Sequence, residues 1–255
     1  MRFIIFAAIF VMMTSAPIFA QESTSADPSK TTTISGDFTH PACPDKIKGS
    51  FKIDYPLQTA NSLQDLILTN HTEYLLGGFL NDVNDLIGDP SVCDREYEIY
   101  YNTTSTSTKA SNDYLSIFFA ADSYTGGAHG NLDYSVVNFK KDGYLMGLND
   151  LFPNQVKSLP LYFALVYATT CKSGFDTTPA YFGSENCGGK PDGQAYLSNP
   201  IDQIADLGNL TFSPEGATIH LTPYDCWSWA NGPFDFNLSK EDLIAIGANP
   251  AIWGN

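Results

Sequence analysis

The apolar residues of this chain change their repeat along its length, and that change constrains the fold more than any other feature. In Gly49 to Leu57, GSFKIDYPL, Phe51, Ile53 and Tyr55 alternate on one face, the period of a half-buried strand. From Leu63 the step lengthens to three and four: Leu63, Leu66, Ile67, Tyr74, Leu75, Phe79, Val83 and Leu86 form one stripe of a long amphipathic helix, capped by Asn61 or Ser62. Gly77 and Gly78 stand inside it as points where it can bend. The alternation then returns over Glu96 to Thr106, Asp113 to Ala120 and Leu132 to Phe139, rich in Tyr, Ile, Thr and Val. Asp142-Gly143 supplies a hairpin turn, with Tyr144 to Leu148 returning. Leu161 to Thr169 reads as a helix, and Asn199-Pro200 as the start of a short one. Leu210 to Phe212, Ala217 to Leu221 and Phe234 to Asn237 read as late strands. Ser239-Lys240-Glu241-Asp242 caps a last helix, Leu243 to Ile246. This order predicts an α+β fold: antiparallel sheet packed with one long N-terminal amphipathic helix and shorter C-terminal helices.

The N-terminus carries an export signature. Arg2 precedes an apolar run, Phe3 to Met13, too short for the ~20 residues a membrane-spanning helix needs, and the small residue Ala20 suits the position before a cut. A signal peptide over residues 1–20 predicts a soluble periplasmic or secreted protein, with no membrane insertion after cleavage. Gln21 to Thr33 is rich in Ser and Thr and reads, with Ile34, as a flexible leader. The formal net charge of −15 becomes one unit more negative when Arg2 is removed. Such acidity argues against nucleic acid, whose phosphates need Lys and Arg, and favours a cationic partner. Alternatively it serves only solubility.

An exported chain with five cysteines is expected to form disulfides. Cys171 and Cys187 flank a loop rich in turn formers, where a bridge would be worth ~3 kcal/mol. Cys43 and Cys93 precede the first two strand-like runs and form a second plausible pair, leaving Cys226 free; spacing does not determine the connectivity. No CxxC and no Cys/His pair of zinc spacing stands out, the four histidines show no HExxH, and no GxSxG occurs, so no metal or other cofactor is expected. Asn81-Asp82-Val83-Asn84-Asp85 suggests a calcium loop but lacks its third ligand and glycine, and reads better as a helix's polar face.

Two stretches remain. SYTGGAHGN, Ser123 to Asn131, follows a strand and reads first as a glycine turn, with His129 either structural or a ligand or catalytic group. Thr222 to Gly232 brings Pro223, Tyr224, Trp227 and Trp229 together; the aromatics either stack on sugar rings or a protein partner, or complete the core.

Taken together, YTGGAHGN, then VVNFKKDGYLMGLNDLF (Val136 to Phe152), then LTPYDCWSWANGPFDFNLSKEDL (Leu221 to Leu243) resemble the RsiV-type ectodomain family. That family carries a C-terminal domain named after a lysozyme-sensing anti-sigma factor, often preceded by the N-terminal domain also found on the peptidoglycan deacetylase PdaC. The resemblance spans roughly Ser35 to Ile246. It implies a PdaC-type N-terminal subdomain over residues 35–140 and an RsiV-type C-terminal subdomain over residues 141–255. It also implies an extracellular, non-enzymatic binding domain for a lysozyme-like protein or a cell-envelope glycan. Tyr124, His129, Asn131, Pro223, Tyr224, Trp227 and Trp229 are then the candidate contact residues. Two rivals stand beside it: an envelope-polymer hydrolase using His129 as acid or base with Asp122 or Asp133, and a purely structural exported domain.

Overall fold

The computed structural model describes residues 31–56, 61–172, 207–223 and 232–254. It contains two sheets. The larger has five strands in the order β1 (Thr31–Thr39), β2 (Ile47–Pro56), β3 (Tyr97–Ser111), β4 (Tyr114–Tyr124) and β5 (Asn131–Lys140). The smaller joins β6 (Leu210–Ser213), β7 (Gly216–Leu221) and β8 (Phe234–Ser239). Between the sheets in sequence lie α2 (Leu148–Leu151) and α3 (Gln155–Lys172); α4 (Lys240–Ala245) and a 3-10 turn (Pro250–Trp253) close the described chain.

The helix expected from Leu63 is α1 (Ser62–Ile87), whose first turn is capped by Asn61: its Oδ1 accepts from the Leu63 amide at 2.9 Å. Leu66 and Tyr74, read into its apolar stripe, are exposed instead, and Leu68, outside that stripe, is buried. Leu68, Phe79 and Val83 are buried, while Asn81, Asp82, Asn84 and Asp85 are exposed, so the calcium-like run is the helix's polar face. Helix α1 forces one correction. It leads from β2 into β3, and these two strands run parallel, Ile47 opposite Tyr97 through Ile53 opposite Thr103. A helical crossover carries the chain back to the same end of the sheet, so the large sheet is mixed rather than purely antiparallel.

Two boundaries also move. Thr31 to Ile34, read as leader, belong to β1, paired antiparallel from Thr31 opposite Pro56. The signal there is cross-strand: Gly36 lies opposite Phe51 and Gly49 opposite Phe38, each ring lying over the facing glycine. The expected return strand Tyr144 to Leu148 shrinks to a single bridge, Leu145 to Phe139, after a turn in which Gly143 takes φ 88°. Asp142 Oδ1 accepts from the Tyr144 amide there, and the chain turns into α2 instead of continuing the ladder.

The large sheet is covered on both faces. Ile117, Phe119 and Ala121 of β4, with Val137 and Phe139 of β5, pack in one core with α1 and with Ile53, Ile99 and Tyr101. Ser116 and Phe118 of β4 and Asn138 of β5 alternate to the opposite face and meet the second sheet. That sheet has its own core, where Leu210, Phe212, Ile219, Phe236 and Leu238 pack with Tyr162, Leu243, Ile252 and Trp253.

Two polar side chains join the layers. Ser116 Oγ donates to Asn138 Oδ1 at 2.6 Å and accepts from the Phe212 amide at 2.9 Å. Asn138 Nδ2 donates to the carbonyls of Leu207 at 3.2 Å and Leu210 at 2.9 Å. Both side chains are buried, and Leu207, held in the left-handed region at φ 55°, is fixed by this network.

A disulfide joins Cys43, in the turn between β1 and β2, to Cys93, in the 3-10 turn (Pro90–Asp94) ahead of β3. It clamps the two ends of the β2–α1–β3 crossover. Cys187 and Cys226 lie outside the described residues, as does the side chain of Cys171.

Candidate functional site

The connection between β4 and β5 is SYTGGAHGN. Gly126 and Gly127 take φ of 103° and 113°, a region closed to most side chains, which answers why two glycines stand there. Gly130 is required for another reason. A Cβ at this position would lie 2.8 Å from the Ser123 carbonyl oxygen, a contact that backbone cannot relieve. The loop is also tied internally: Tyr124 donates its hydroxyl to the Gly127 carbonyl at 3.0 Å, and His129 Nδ1 lies 2.8 Å from the Gly130 carbonyl. Its base is aromatic, with Tyr100 and Tyr124 stacked at 6.1 Å. Desolvation, then the adjacent Asp122 carboxylate, raises the Tyr100 phenol above its ordinary pKa. Gly127, Ala128, His129 and Asn131 are exposed, so a preshaped loop stands at the end of a rigid hairpin.

The structure thus brings Tyr124, His129 and Asn131 into one exposed loop. Pro223 ends the described stretch after β7 and is buried, while Tyr224, Trp227 and Trp229 lie outside the described residues.

A second cluster escaped the sequence reading. His220 of β7 places Nδ1 2.8 Å from Asp235 Oδ1 and Nε2 2.9 Å from Thr211 Oγ1. Its ring lies on Phe118 of the large sheet at 4.2 Å, with Tyr134 edge-on at 6.3 Å. Asp235 faces His220 directly across β7 and β8, and Thr211 comes from β6 on the other side. A neutral imidazole satisfies both contacts when Nδ1 donates to the carboxylate and Nε2 accepts from the hydroxyl. Beside it Asn209 is buried, and its side-chain amide has no hydrogen-bond partner. Only strand register assembles these residues; in sequence they are scattered over Asn209 to Asp235.

The Val136 to Phe152 piece of the family-like pattern is structural. Asn138 is the inter-sheet junction, Phe139, Leu151 and Phe152 are core, and Asp150 bonds the Gly147 amide at 2.8 Å and Lys140 Nζ at 3.2 Å. Among the described residues no helix is long and apolar enough to cross a membrane.

Solved structures share the fold, among them two DUF3298-family proteins. A DUF3298-family protein of Bacteroides fragilis is 16% identical with a TM-score of 0.53, over 88% of this chain and 94% of its own. A DUF3298-family protein of Pseudomonas aeruginosa is 14% identical with a TM-score of 0.54, over 91% of this chain and all of its own, 100%. No family model and no curated protein matches the chain. At this identity the likeness is one of fold: the chain is built like proteins of a domain family of uncharacterised function.

Proposed function

We propose that this chain is an exported, non-enzymatic binding domain of the RsiV-like kind, and that the Tyr124–Asn131 loop is its contact surface. One observation carries the reading. Asn138, Phe139, Asp150, Leu151 and Phe152, from the second family-like stretch, serve the core and its caps, whereas YTGGAH forms a tethered loop with an exposed tip. An exposed loop already fixed in shape loses little conformational entropy on binding. The formal charge of −15 favours a cationic partner, which fits a lysozyme-like protein, and the stacked Tyr100 and Tyr124 fit a glycan as the other ligand of this class.

The test is calorimetric titration with lysozyme at low and high salt, against an unrelated basic protein of similar charge. Saturable binding that survives high salt, is absent with the control, and weakens in His129→Ala and Gly127→Ala supports the reading. Equal, salt-sensitive binding to both proteins reduces the acidity to a generic field and sinks it.

A specific geometry favours hydrolysis as the second reading. Thr211, His220 and Asp235 lie in the order nucleophile, base and orienting carboxylate. Thr211 is only 7% exposed, which leaves a substrate little access to its oxygen, so this reading ranks behind binding. Turnover of labelled peptidoglycan that disappears in His220→Gln would reverse the order.

A further inference from the structure

We propose that His40, Cys43 and Cys93 form a redox-gated site for a thiophilic cation, closed while the disulfide stands and opened by a dithiol reductant. His40 is buried, 3% exposed, yet its Nδ1 lies 3.2 Å from Cys43 Sγ and 3.6 Å from Cys93 Sγ. The Ala42 amide donates to the same nitrogen at 3.2 Å, so Nδ1 carries a lone pair and the proton sits on Nε2. That Nε2 has no hydrogen-bond partner. The nitrogen a soft cation would use is therefore already deprotonated and directed at the sulfurs.

The two nitrogen–sulfur distances suit a metal, and the sulfurs, joined in the disulfide, separate to roughly 3.8 Å in a tetrahedral site once reduced. In a tetrahedral zinc site with Zn–N of about 2.0 Å and Zn–S of about 2.3 Å, nitrogen and sulfur lie roughly 3.5 Å apart. The two observed nitrogen–sulfur separations bracket that value. The three donor atoms all lie within 4.8 Å of one another.

The positions are also held by bonds that do not involve the disulfide. The Cys43 amide donates to the His40 carbonyl at 3.2 Å, and the Ile47 amide to the Cys43 carbonyl at 3.1 Å. On the other side, Asp89 caps the 3-10 turn by accepting from the Ser91 amide at 2.9 Å. Lys46 Nζ then reaches across to the Cys93 carbonyl at 2.8 Å. This ammonium joins the two ligand-bearing turns. Both cysteines are only partly buried, so a dithiol can reach them.

The chemistry balances. A dithiol gives up two electrons and two protons as it becomes a disulfide, and the Cys43–Cys93 bond becomes two thiols. A divalent cation then displaces both thiol protons and takes two thiolates and His40 Nδ1. That neutral set of two sulfurs and one nitrogen leaves a fourth position for water or an external ligand.

The test uses the full chain, reduced anaerobically with a phosphine and titrated with Co2+, whose bonds to thiolate absorb in the near ultraviolet. The wild type is compared with Cys43→Ser/Cys93→Ser, which keeps the other three cysteines, and with His40→Ala. Circular dichroism before and after reduction reports whether the fold persists. The expected result is one extra equivalent of Co2+ with thiolate absorption in the reduced wild type, none in the oxidised protein, and affinity about tenfold or more weaker in His40→Ala. Equal uptake by the double variant, unchanged affinity in His40→Ala, or no uptake by reduced protein, folded or not, would overturn it.

Discussion

Replacing Asn138 by alanine should be among the most damaging single changes in this protein. Asn138 accepts from Ser116 Oγ and donates to two carbonyls across the junction between the sheets, and it is 5% exposed. Three buried hydrogen bonds at about 1 kcal/mol each, and roughly another 1 kcal/mol for the Leu210 carbonyl left without this donor, give about 3–4 kcal/mol. For a chain of this size that lowers Tm by about 10 °C. Ser116→Ala strands the Phe212 amide and Asn138 Oδ1 and should cost about 2 kcal/mol. The two variants share one bond, so the double variant should fall short of their sum by about 1 kcal/mol. Urea denaturation of the wild type, both single variants and the double variant measures all three quantities. Asn237→Ala, which loses one exposed bond to Thr218, is the control and should shift stability by less than about 0.5 kcal/mol. A cost below about 1 kcal/mol for Asn138→Ala, or strict additivity with Ser116→Ala, would show that this network does not hold the sheets together.

Further outcomes follow from other parts of the fold. Cys43→Ser/Cys93→Ser opens a loop with a sequence separation of 50 and should cost about 4 kcal/mol, read by chemical denaturation. Gly78→Ala, on the exposed side of α1 with no atom within 4 Å of the new Cβ, should instead stabilise by about 1 kcal/mol. Gly130→Ala should lower the melting temperature and weaken partner binding together, because the Cβ would lie 2.8 Å from the Ser123 carbonyl oxygen and force β4 and β5 apart where the loop begins. His71 packs on Phe119 and contacts Ser135, and its burial holds its pKa below 6.5, so the unfolded chain binds its proton first as pH falls. Stability should therefore be full above about pH 6.5 and decline below it, as the pH drops towards the folded-state value. His71→Gln should flatten that part of a pH-denaturation series.

Much of this architecture is local and was open to reading from the chain alone. The alternation of Phe51, Ile53 and Tyr55, the stripe from Leu63 to Leu86 and the cap at Ser239 depend on neighbours a few residues away. Side-chain period and hydrogen-bond reach encode them directly. Cys43 and Cys93 could be named as one plausible pair, but the bond between them, at a sequence separation of 50, was decided by the crossover that brings their turns together. The parallel pairing of β2 with β3 was not, since direction depends on how α1 carries the chain across the sheet. β1 was hidden because its stabilisation is cross-strand: a Ser/Thr-rich segment looks like leader until Gly36 and Phe38 find Phe51 and Gly49.

The sites divide in the same way. Two adjacent glycines at the end of a strand-like run announce a turn, as the pair inside the helical stripe of α1 does not, so the Tyr124–Asn131 loop was visible. His220, Thr211 and Asp235 become neighbours only when β6, β7 and β8 settle in register, and Cys93 reaches His40 only after the crossover is complete. Local pattern by itself determined the central strands, the long helix and the glycine turn. Tertiary structure alone decided strand direction and every cluster built from residues far apart in sequence, because such contacts arise from the shared burial of two elements and leave no periodic trace in either one.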